Sequence, residues 1–572
     1  MKSFKIMIYT SVFLLLQFKT YSQKQIIGIK AIVNPYQYSI TKNNNYKHSA
    51  VVTAHPLASM CGAAIIQQGG NAFDAAITVQ LVLAVVYPGA GNIGGGGFMV
   101  AKKNKKMLAL DFRETAPKNA STNMYLDKDG NAQEMLSQQG HLAAGVPGTV
   151  AGIFEILPYC KLSFKQLTQP AIDLAQNGFT ITEKEANNLN THQELFKKCN
   201  TQTTAFERKQ PWKMGDTLIQ KQLANTLKLI RDKGKKGFYE GATALLIIAE
   251  MQRGKGIITF EDLKKYQPVW RKPLQFTYKN YNIVSMPPPS SGGIILCQLM
   301  KMIEQRNMPL KGFQTAPSVQ LMIEAERRAF ADRATHLGDP DFYKVPIKTL
   351  LSNHYIDTRM QDYDSIKASK SEEIKAGDIK ESEETTHISI VDNVGNMVAI
   401  TTTLNGNYGS KTVVGGAGFL LNNEMDDFSI KPGVANLYGA VGGKANAIEP
   451  NKRMLSSMTP TLVLKNNQPY IVVGSPGGTT IPTSVFQTLV NIIDFKMSGN
   501  DAVNKPKFHH QWLPDEVFVE KKFDANTILL LKKMGYTITL RSAIGRVELI
   551  KINNKILEST ADDRGDDAVA GW

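Results

Sequence analysis

The spacing of apolar positions changes character near residue 365. Before it, helical periods dominate. Residues 57–68 repeat apolar side chains at helical intervals and stop at Gly69-Gly70. Asn71 then stands where it can cap a second helix that runs toward Val86 and ends ahead of Pro88. That helix is apolar nearly all round, which predicts a central, buried position. Residues 215–255 predict two amphipathic helices, and 266–286 predict strands. Ser290-Ser291-Gly292-Gly293 precedes a buried helix, and residues 316–336 form a further long one. Ser365 to Glu384 is Lys, Glu and Ser with little apolar content, which predicts a solvated, flexible segment that tolerates cutting. Strands follow. Residues 386–392 and 396–403 flank Asn393-Val394-Gly395 and predict a hairpin, and 461–464 with 470–474 predict a second pair. Residues 481–495 predict a helix, and the C-terminus mixes one helix with strand pairs, the last turning at Asn553-Asn554. Helices before the boundary and strands after it predict stacked helical and sheet layers around one core.

The N-terminus departs from this pattern. Lys2 and Lys5, an apolar run from Ile6 to Leu16 and the small residues near Thr20-Tyr21-Ser22 predict a secretory signal over residues 1–22. The run is short for a bilayer span. The mature protein is therefore expected to be exported, periplasmic or secreted, with no integral membrane span. The net charge of +16 is spread along the chain without a long basic helix or an aromatic RNA-binding signature, so nucleic acid is not an expected partner. Export permits disulfides among Cys61, Cys160, Cys199 and Cys297. Cys61 and Cys297 lie in apolar, helix-like stretches. Cys160 and Cys199, in more polar surroundings, are the pair expected if one forms.

Two motifs point to cofactor or metal chemistry and are set aside. Gly89-Ala90-Gly91-Asn92-Ile93-Gly94 fits a dinucleotide fingerprint letter for letter. That motif needs a strand before it and a helix after it. Here a helical run and Pro88 precede it and glycines follow, so a tightly packed turn is expected. His509-His510 lacks ligand spacing, because adjacent side chains do not face one site.

The chemistry lies elsewhere. Glu384-Thr385-Thr386-His387 ends the polar segment and begins a strand. An internal threonine is ordinary. One freed at a new N-terminus carries its own base, since an α-amino group titrates near ~7.7–8 and can take the hydroxyl proton. Ser475-Pro476-Gly477-Gly478 follows an apolar strand and can present paired N–H groups to an oxyanion. Residues 422–428 pack Glu424, Asp426 and Asp427 beside two amides, which suits a cationic amine. Arg113 is the matching fork for a carboxylate, and Ser456-Ser457 adds hydroxyls. Together these groups suit a zwitterionic amino acid head.

In this order the motifs resemble the γ-glutamyltranspeptidase family of the N-terminal-nucleophile hydrolases. The resemblance covers nearly the whole mature chain. It includes Asp111-Phe112-Arg113-Glu114, Met286 to Gly293, Gly338-Asp339-Pro340-Asp341-Phe342, Thr385-Thr386-His387, Asn422 to Phe428, Leu455-Ser456-Ser457-Met458, Gly474 to Gly478 and Phe508-His509-His510-Gln511-Trp512. It implies an α+β fold, a four-layer αββα sandwich formed jointly by two subunits cut from one precursor. These are a large subunit, residues 23–384, and a small one, 385–572, held as a heterodimer. It implies cleavage between Glu384 and Thr385, with Thr385 as nucleophile and Thr403 as its hydrogen-bonding partner. Arg113, Ser456 and Ser457 would hold the substrate carboxylate. Asn405, Glu424 and Asp427 would hold its amine, and Gly477 and Gly478 would form the oxyanion hole. Tyr438 resembles the aromatic residue of a lid loop that some members carry. The implied activity is glutathione hydrolysis and γ-glutamyl transfer to amino acid or dipeptide acceptors, without cofactor or metal. A related acylase on the same scaffold and an exported binding protein without turnover are the alternatives.

Overall fold

Asn71 caps as its position predicts. Its side-chain oxygen accepts the N–H groups of Phe73 and Asp74, and the Asp74 carboxylate accepts the Asn71 N–H at 2.8 Å. This reciprocal box starts the helix Ala72–Val86, every residue of which is buried. The preceding helix is Pro56–Gln67. The structure, a computed structural model, describes residues 28–374, 385–430 and 443–572. The signal at 1–22, Glu384 and Tyr438 lie outside the described residues.

Among the described residues, fourteen strands make two antiparallel sheets of seven. One runs Asn43–Tyr46, Ile556–Ala561, Glu548–Asn553, Gln468–Gly474, Thr461–Lys465, Tyr281–Ser285 and Leu274–Tyr278 across its width. The other runs Ala568–Gly571, Ala50–Thr53, Thr386–Val391, Met397–Thr403, Gly96–Lys103, Lys106–Asp111 and Val269–Arg271. Each sheet therefore combines strands from before and after residue 385. The predicted hairpin is present, with Thr386 opposite Thr402 and Val391 opposite Met397.

Side-chain alternation gives each sheet two apolar faces. Val52, Phe98, Val100 and Ala399 join Val284, Leu462, Val472 and Ile550 in one cluster contributed by both sheets. Their neighbours Val51, Met99, Ile388 and Ile400 turn the other way and pack with Leu57, Ile77 and Leu81 of the first two helices. Ile283, Val463, Ile471 and Val473 do the same against the helices Gly292–Glu304, Ala316–His336 and Thr480–Ile493. Each such side chain removed from water contributes roughly 1.5–3 kcal/mol. The chain is thus α+β. Among the described residues no helix is long and apolar enough to cross a membrane.

Several expectations need correction. Residues 215–255 hold three helices, Lys221–Lys233, Lys236–Tyr239 and Gly241–Gly254, because Gly234 at φ +64° ends the first early. Two helices, Gly499–Asn504 and Ala525–Lys533, follow residue 495 where one is predicted. All four cysteines are free. Cys160 lies against Ile156 and Asp74, whereas Cys199 lies by Gly140 and Lys411, so the expected pair occupies different neighbourhoods. The segment from Ser365 is not solvated throughout. Ser371 is fully buried, and the Trp512 indole N–H donates to the carbonyls of Ser371 and Ile374, each at 2.9 Å. The glycine-rich turn is a packing device, as expected. A Cβ on Gly91 would lie 2.2 Å from the Leu83 carbonyl oxygen, and one on Gly94 2.1 Å from that of Leu420. The strand Gly96–Lys103 follows it, not a helix.

Candidate active site

Thr385 sits just ahead of the strand Thr386–Val391 and is 5% exposed. Thr386 and His387 pair with Thr402 and Thr401, which fixes the start of the strand. The His387 ring is fully buried between the hydroxyls of Thr401 and Ser389, at 2.9 and 3.2 Å. Burial pushes its pKa down to about 3, so the ring is neutral. A Cβ on Gly474 would lie 2.2 Å from this ring, so the strand leading to Ser475-Pro476-Gly477-Gly478 passes directly over it.

Thr385 lines a cleft of about 240 Å³ together with Arg113, Thr403, Asn405, Asp427, Ser456, Ser457 and Gly478. Eight residues read from sequence, scattered over 366 positions of the chain from Arg113 to Gly478, thus share one wall. Met458 and Ile481 supply apolar lining that the motifs do not mark. Glu424 lies one step back. Its carboxylate meets the Arg113 guanidinium at 2.5 Å, and Asp427 pairs with the same guanidinium. Glu114 is the third acid, at 3.6 Å. Arg113 therefore enters the site already surrounded by acids. Its burial disfavours the charged form, but Glu424, Asp427 and Glu114 more than offset this and raise its pKa. Burial likewise pushes Glu114 and Glu424 up to about 8, against the pull of Arg113.

The amides of residues 422–423 hold this cluster in place. Asn422 accepts the N–H groups of Gly145 and Glu424 and donates to the carbonyls of Gly94 and Gly145. Asn423 accepts the Gly406 N–H at 2.8 Å. Asn405, at φ +73°, donates its side-chain amide to the Asn423 carbonyl, and its backbone N–H donates to the Thr403 hydroxyl at 2.7 Å. Glu424–Asp427 is a single tight turn, which aims Asp427 at Arg113.

Ser456 is braced by the Pro-rich motif. Its carbonyl accepts the backbone N–H and hydroxyl of Ser291, at 2.7 and 2.8 Å, and its N–H donates to the Pro289 carbonyl at 3.0 Å. A Cβ on Gly292 would lie 2.2 Å from the Thr459 hydroxyl, so only glycine permits this approach. Gly477 and Gly478 have φ of +130° and +57°, a conformation suited to glycine. The Thr480 hydroxyl and backbone N–H both donate to the Gly477 carbonyl. The Phe508 to Trp512 motif supports the same loop. Gln511 accepts from the Thr479 hydroxyl at 2.7 Å, and its side-chain oxygen lies 3.0 Å from the His509 ring. Gly477 is not in the first cleft. It lines a second cavity with Thr385, Lys184, Arg546 and Arg564. No local sequence pattern marks these three cations.

A family model described as γ-glutamyltranspeptidase matches residues 58–572. The chain is 45% identical over 534 residues to the glutathione hydrolase proenzyme of Escherichia coli, covering 92% of each. Among solved structures, cephalosporin acylase from Bacillus halodurans superposes with a TM-score of 0.82 at 25% identity, over 94% of this chain and 98% of that one. The γ-glutamyltranspeptidase of Helicobacter pylori matches 60% of this chain and 97% of its own at 41% identity, with a TM-score of 0.56. Full-length agreement with the family model, on a chain that gathers these motifs around one threonine, assigns the protein to the γ-glutamyltranspeptidase family.

Proposed function

We propose that the chain is an exported proenzyme that cuts itself between Glu384 and Thr385. It then hydrolyses glutathione and transfers γ-glutamyl groups. The observation that carries this reading is the common cleft of Thr385 with Arg113, Asp427, Ser456 and Ser457. Residues 23–384 and 385–572 would be its two subunits, held together as a heterodimer in a four-layer αββα sandwich. The two apolar faces of each sheet, and the mixing of strands from both sides of residue 385, support that arrangement.

The chemistry follows from the groups present. The freed α-amine of Thr385 takes the hydroxyl proton, and Oγ attacks the γ-carbonyl. Arg113, Ser456 and Ser457 bind the α-carboxylate of the γ-glutamyl group. Asn405, Glu424 and Asp427 bind its ammonium, which holds the carbonyl over Thr385. The N–H groups of Gly477 and Gly478 stabilise the oxyanion, an effect worth roughly 2.7–4 kcal/mol for one donor in comparable sites. Thr403 orients the nucleophile. The departing amine is cysteinylglycine when glutathione is the donor. Water or an amino acid or dipeptide then takes the γ-glutamyl group from the Thr385 ester. Tyr438 would be a further substrate-binding residue.

N-terminal sequencing of the smaller band of the purified protein tests the cut, and Thr385 is the expected first residue. Thr385→Ala should run as one chain without turnover. Two bands from that variant overturn self-cleavage. The likeness to the Bacillus halodurans cephalosporin acylase favours a second reading, an acylase on this scaffold. Rates on γ-glutamyl-p-nitroanilide against the glutaryl analogue separate the two. The amino acid clamp requires the ammonium, so the γ-glutamyl compound should be preferred by orders of magnitude.

A further inference from the structure

Gly338-Asp339-Pro340-Asp341-Phe342 has no task in the reaction at Thr385, since none of its residues lines the cleft. In the fold it closes a lattice of carboxylates and guanidinium groups behind Arg113. The Arg271 guanidinium donates to both oxygens of Asp341, at 2.8 and 2.7 Å. Through Nε and Nη2 it also donates to one oxygen of Asp111, at 3.1 and 2.9 Å. Asp339 accepts the backbone N–H of Asp341 with one oxygen, at 3.0 Å, and that of Arg453 with the other, at 2.8 Å. A Cβ on Gly338 would lie 2.4 Å from the Ala445 carbonyl oxygen, so the motif is pressed against the chain that leads to Ser456.

Asp111 is the centre of this lattice. It ends the strand Lys106–Asp111 and is fully buried. Its Oδ1 accepts the Arg113 N–H at 3.0 Å and lies 3.4 Å from Arg453 Nε, while Oδ2 takes the Arg271 fork. One carboxylate thus grips the backbone of Arg113 and the side chain of a residue three positions before Ser456. Contact also runs the other way. Arg113 Nε and Nη2 donate to the carbonyls of Met454 and Leu455, each at 3.4 Å. The Tyr266 hydroxyl donates to the Arg113 carbonyl at 2.8 Å. Burial opposes the Arg453 charge, but Asp111 leads the groups that outweigh it and raise its pKa. Asp111, Arg271 and Asp339 precede residue 385 and Arg453 follows it, so the lattice ties together walls from opposite sides of that point. A carboxylate held between a guanidinium and a pair of hydroxyls tolerates little error in their separation. A misplacement near 1 Å costs about 10²-fold in rate.

We propose that Asp111 is a positioning residue for the substrate α-carboxylate. It sets the separation of Arg113 from the Ser456-Ser457 hydroxyls, and Asp339 and Asp341 keep it in register through Arg453 and Arg271. This role rests on the γ-glutamyl reading above and deepens it, because Asp111 acts through groups that bind substrate without binding substrate itself. Asp111→Asn is the sharpest perturbation. The groups that meet the carboxylate oxygens, the Arg113 N–H and two guanidinium groups, are all donors. An amide NH₂ at this position must face a donor whichever way it turns.

Two donor substrates separate positioning from general damage. One is γ-glutamyl-p-nitroanilide, and the other is the same compound with a carboxamide in place of the α-carboxylate. The measured quantity is kcat/KM for each. The wild type should prefer the carboxylate compound, and Asp111→Asn should shrink that preference by roughly 10- to 100-fold. Damage that merely loosens the fold lowers both rates alike. An unchanged preference in Asp111→Asn therefore overturns the assignment. Where Asp111→Asn fails to fold, Asp341→Ala decides, since the Asp341 side chain is 47% exposed. It removes the outer grip on Arg271 and should shrink the preference a few-fold, and an unchanged preference there again overturns the role. A wild type that turns over neither compound, or both equally, would instead sink the γ-glutamyl reading itself.

Discussion

Replacing Arg113 by methionine should cost both activity and stability, and the second cost should depend on pH. The guanidinium faces Glu114, Glu424 and Asp427. Burial holds Glu114 and Glu424 near a pKa of about 8, so at pH 7 each keeps its proton about nine-tenths of the time. The main charge pair at that pH is Arg113 with Asp427. Removing one partner of a buried pair costs about 3–5 kcal/mol. In the unfolded chain both glutamates ionise near 4.5, well below their folded values. Folding therefore takes up protons, and stability falls as pH rises from about 4.5 to 8. In the wild type that fall ends once the glutamates ionise against Arg113. In the variant no guanidinium offsets their charge, their pKa values rise further, and the fall continues. The gap between the two proteins should thus widen above pH 8 by ~1.4 kcal/mol per pH unit for each glutamate. Urea unfolding at pH 7, 8 and 9 measures it. Adding Glu424→Gln to the variant should remove about half of the widening. On activity, two lost charge-assisted bonds of about 1.5–3 kcal/mol each predict a 10²- to 10⁴-fold fall in kcat/KM for γ-glutamyl-p-nitroanilide. A stability gap that stays constant from pH 7 to 9, or a kcat/KM within tenfold of wild type, would refute the reasoning.

Gly477→Ala places a Cβ 2.3 Å from the Thr480 hydroxyl on a residue at φ +130°, so the loop must move. Steady-state kinetics should show kcat lower by about 10²- to 10³-fold, the scale of one lost oxyanion donor, with KM changed only a few-fold; near-normal kcat removes Gly477 from that role. His387, with a folded pKa of about 3, gives stability that is present above its ordinary value near 6.5 and is lost as pH falls toward 3. It should account for roughly 2 kcal/mol of lost stability by pH 5. His387→Gln should show a shallower acid dependence of urea unfolding than wild type, since His509 and His510 act equally in both; identical slopes count against a neutral buried imidazole.

The elements around Thr385 were legible because their signals are local. Asn71 and Asp74 sit at capping distance in sequence, and β-branched runs flank a three-residue turn in the 386–403 hairpin. The helix Ala316–His336 keeps the bounds its spacing predicts. The residues of the cleft beside Thr385 were picked out by resemblance, since each of its motifs has a recognisable string. What stayed hidden depends on partners far along the chain. Ser371 lies in a polar string yet is buried by Trp512, which is 141 residues away. Arg546 and Lys184 belong to no motif, and only the folded backbone brings them to one cavity with Thr385. The acids around Arg113 read as an amine clamp, but their first partner in the folded chain is the arginine itself. Cys160 and Cys199 show the same limit, since local polarity says nothing of distance.

The sharing of both sheets by strands from either side of residue 385 bears on the order of events in the proposed self-cleavage. The strand Thr386–Val391 lies between Ala50–Thr53 and Met397–Thr403, and both sheets draw on the two halves of the chain. Neither half holds a complete sheet to fold upon, so the proposed cut at residue 385 should follow assembly rather than precede it. Once nicked, the molecule has no seam along which it can part without losing five ladders, two in one sheet and three in the other. Dilution alone should then leave the pieces together, and halves made apart should fail to find each other.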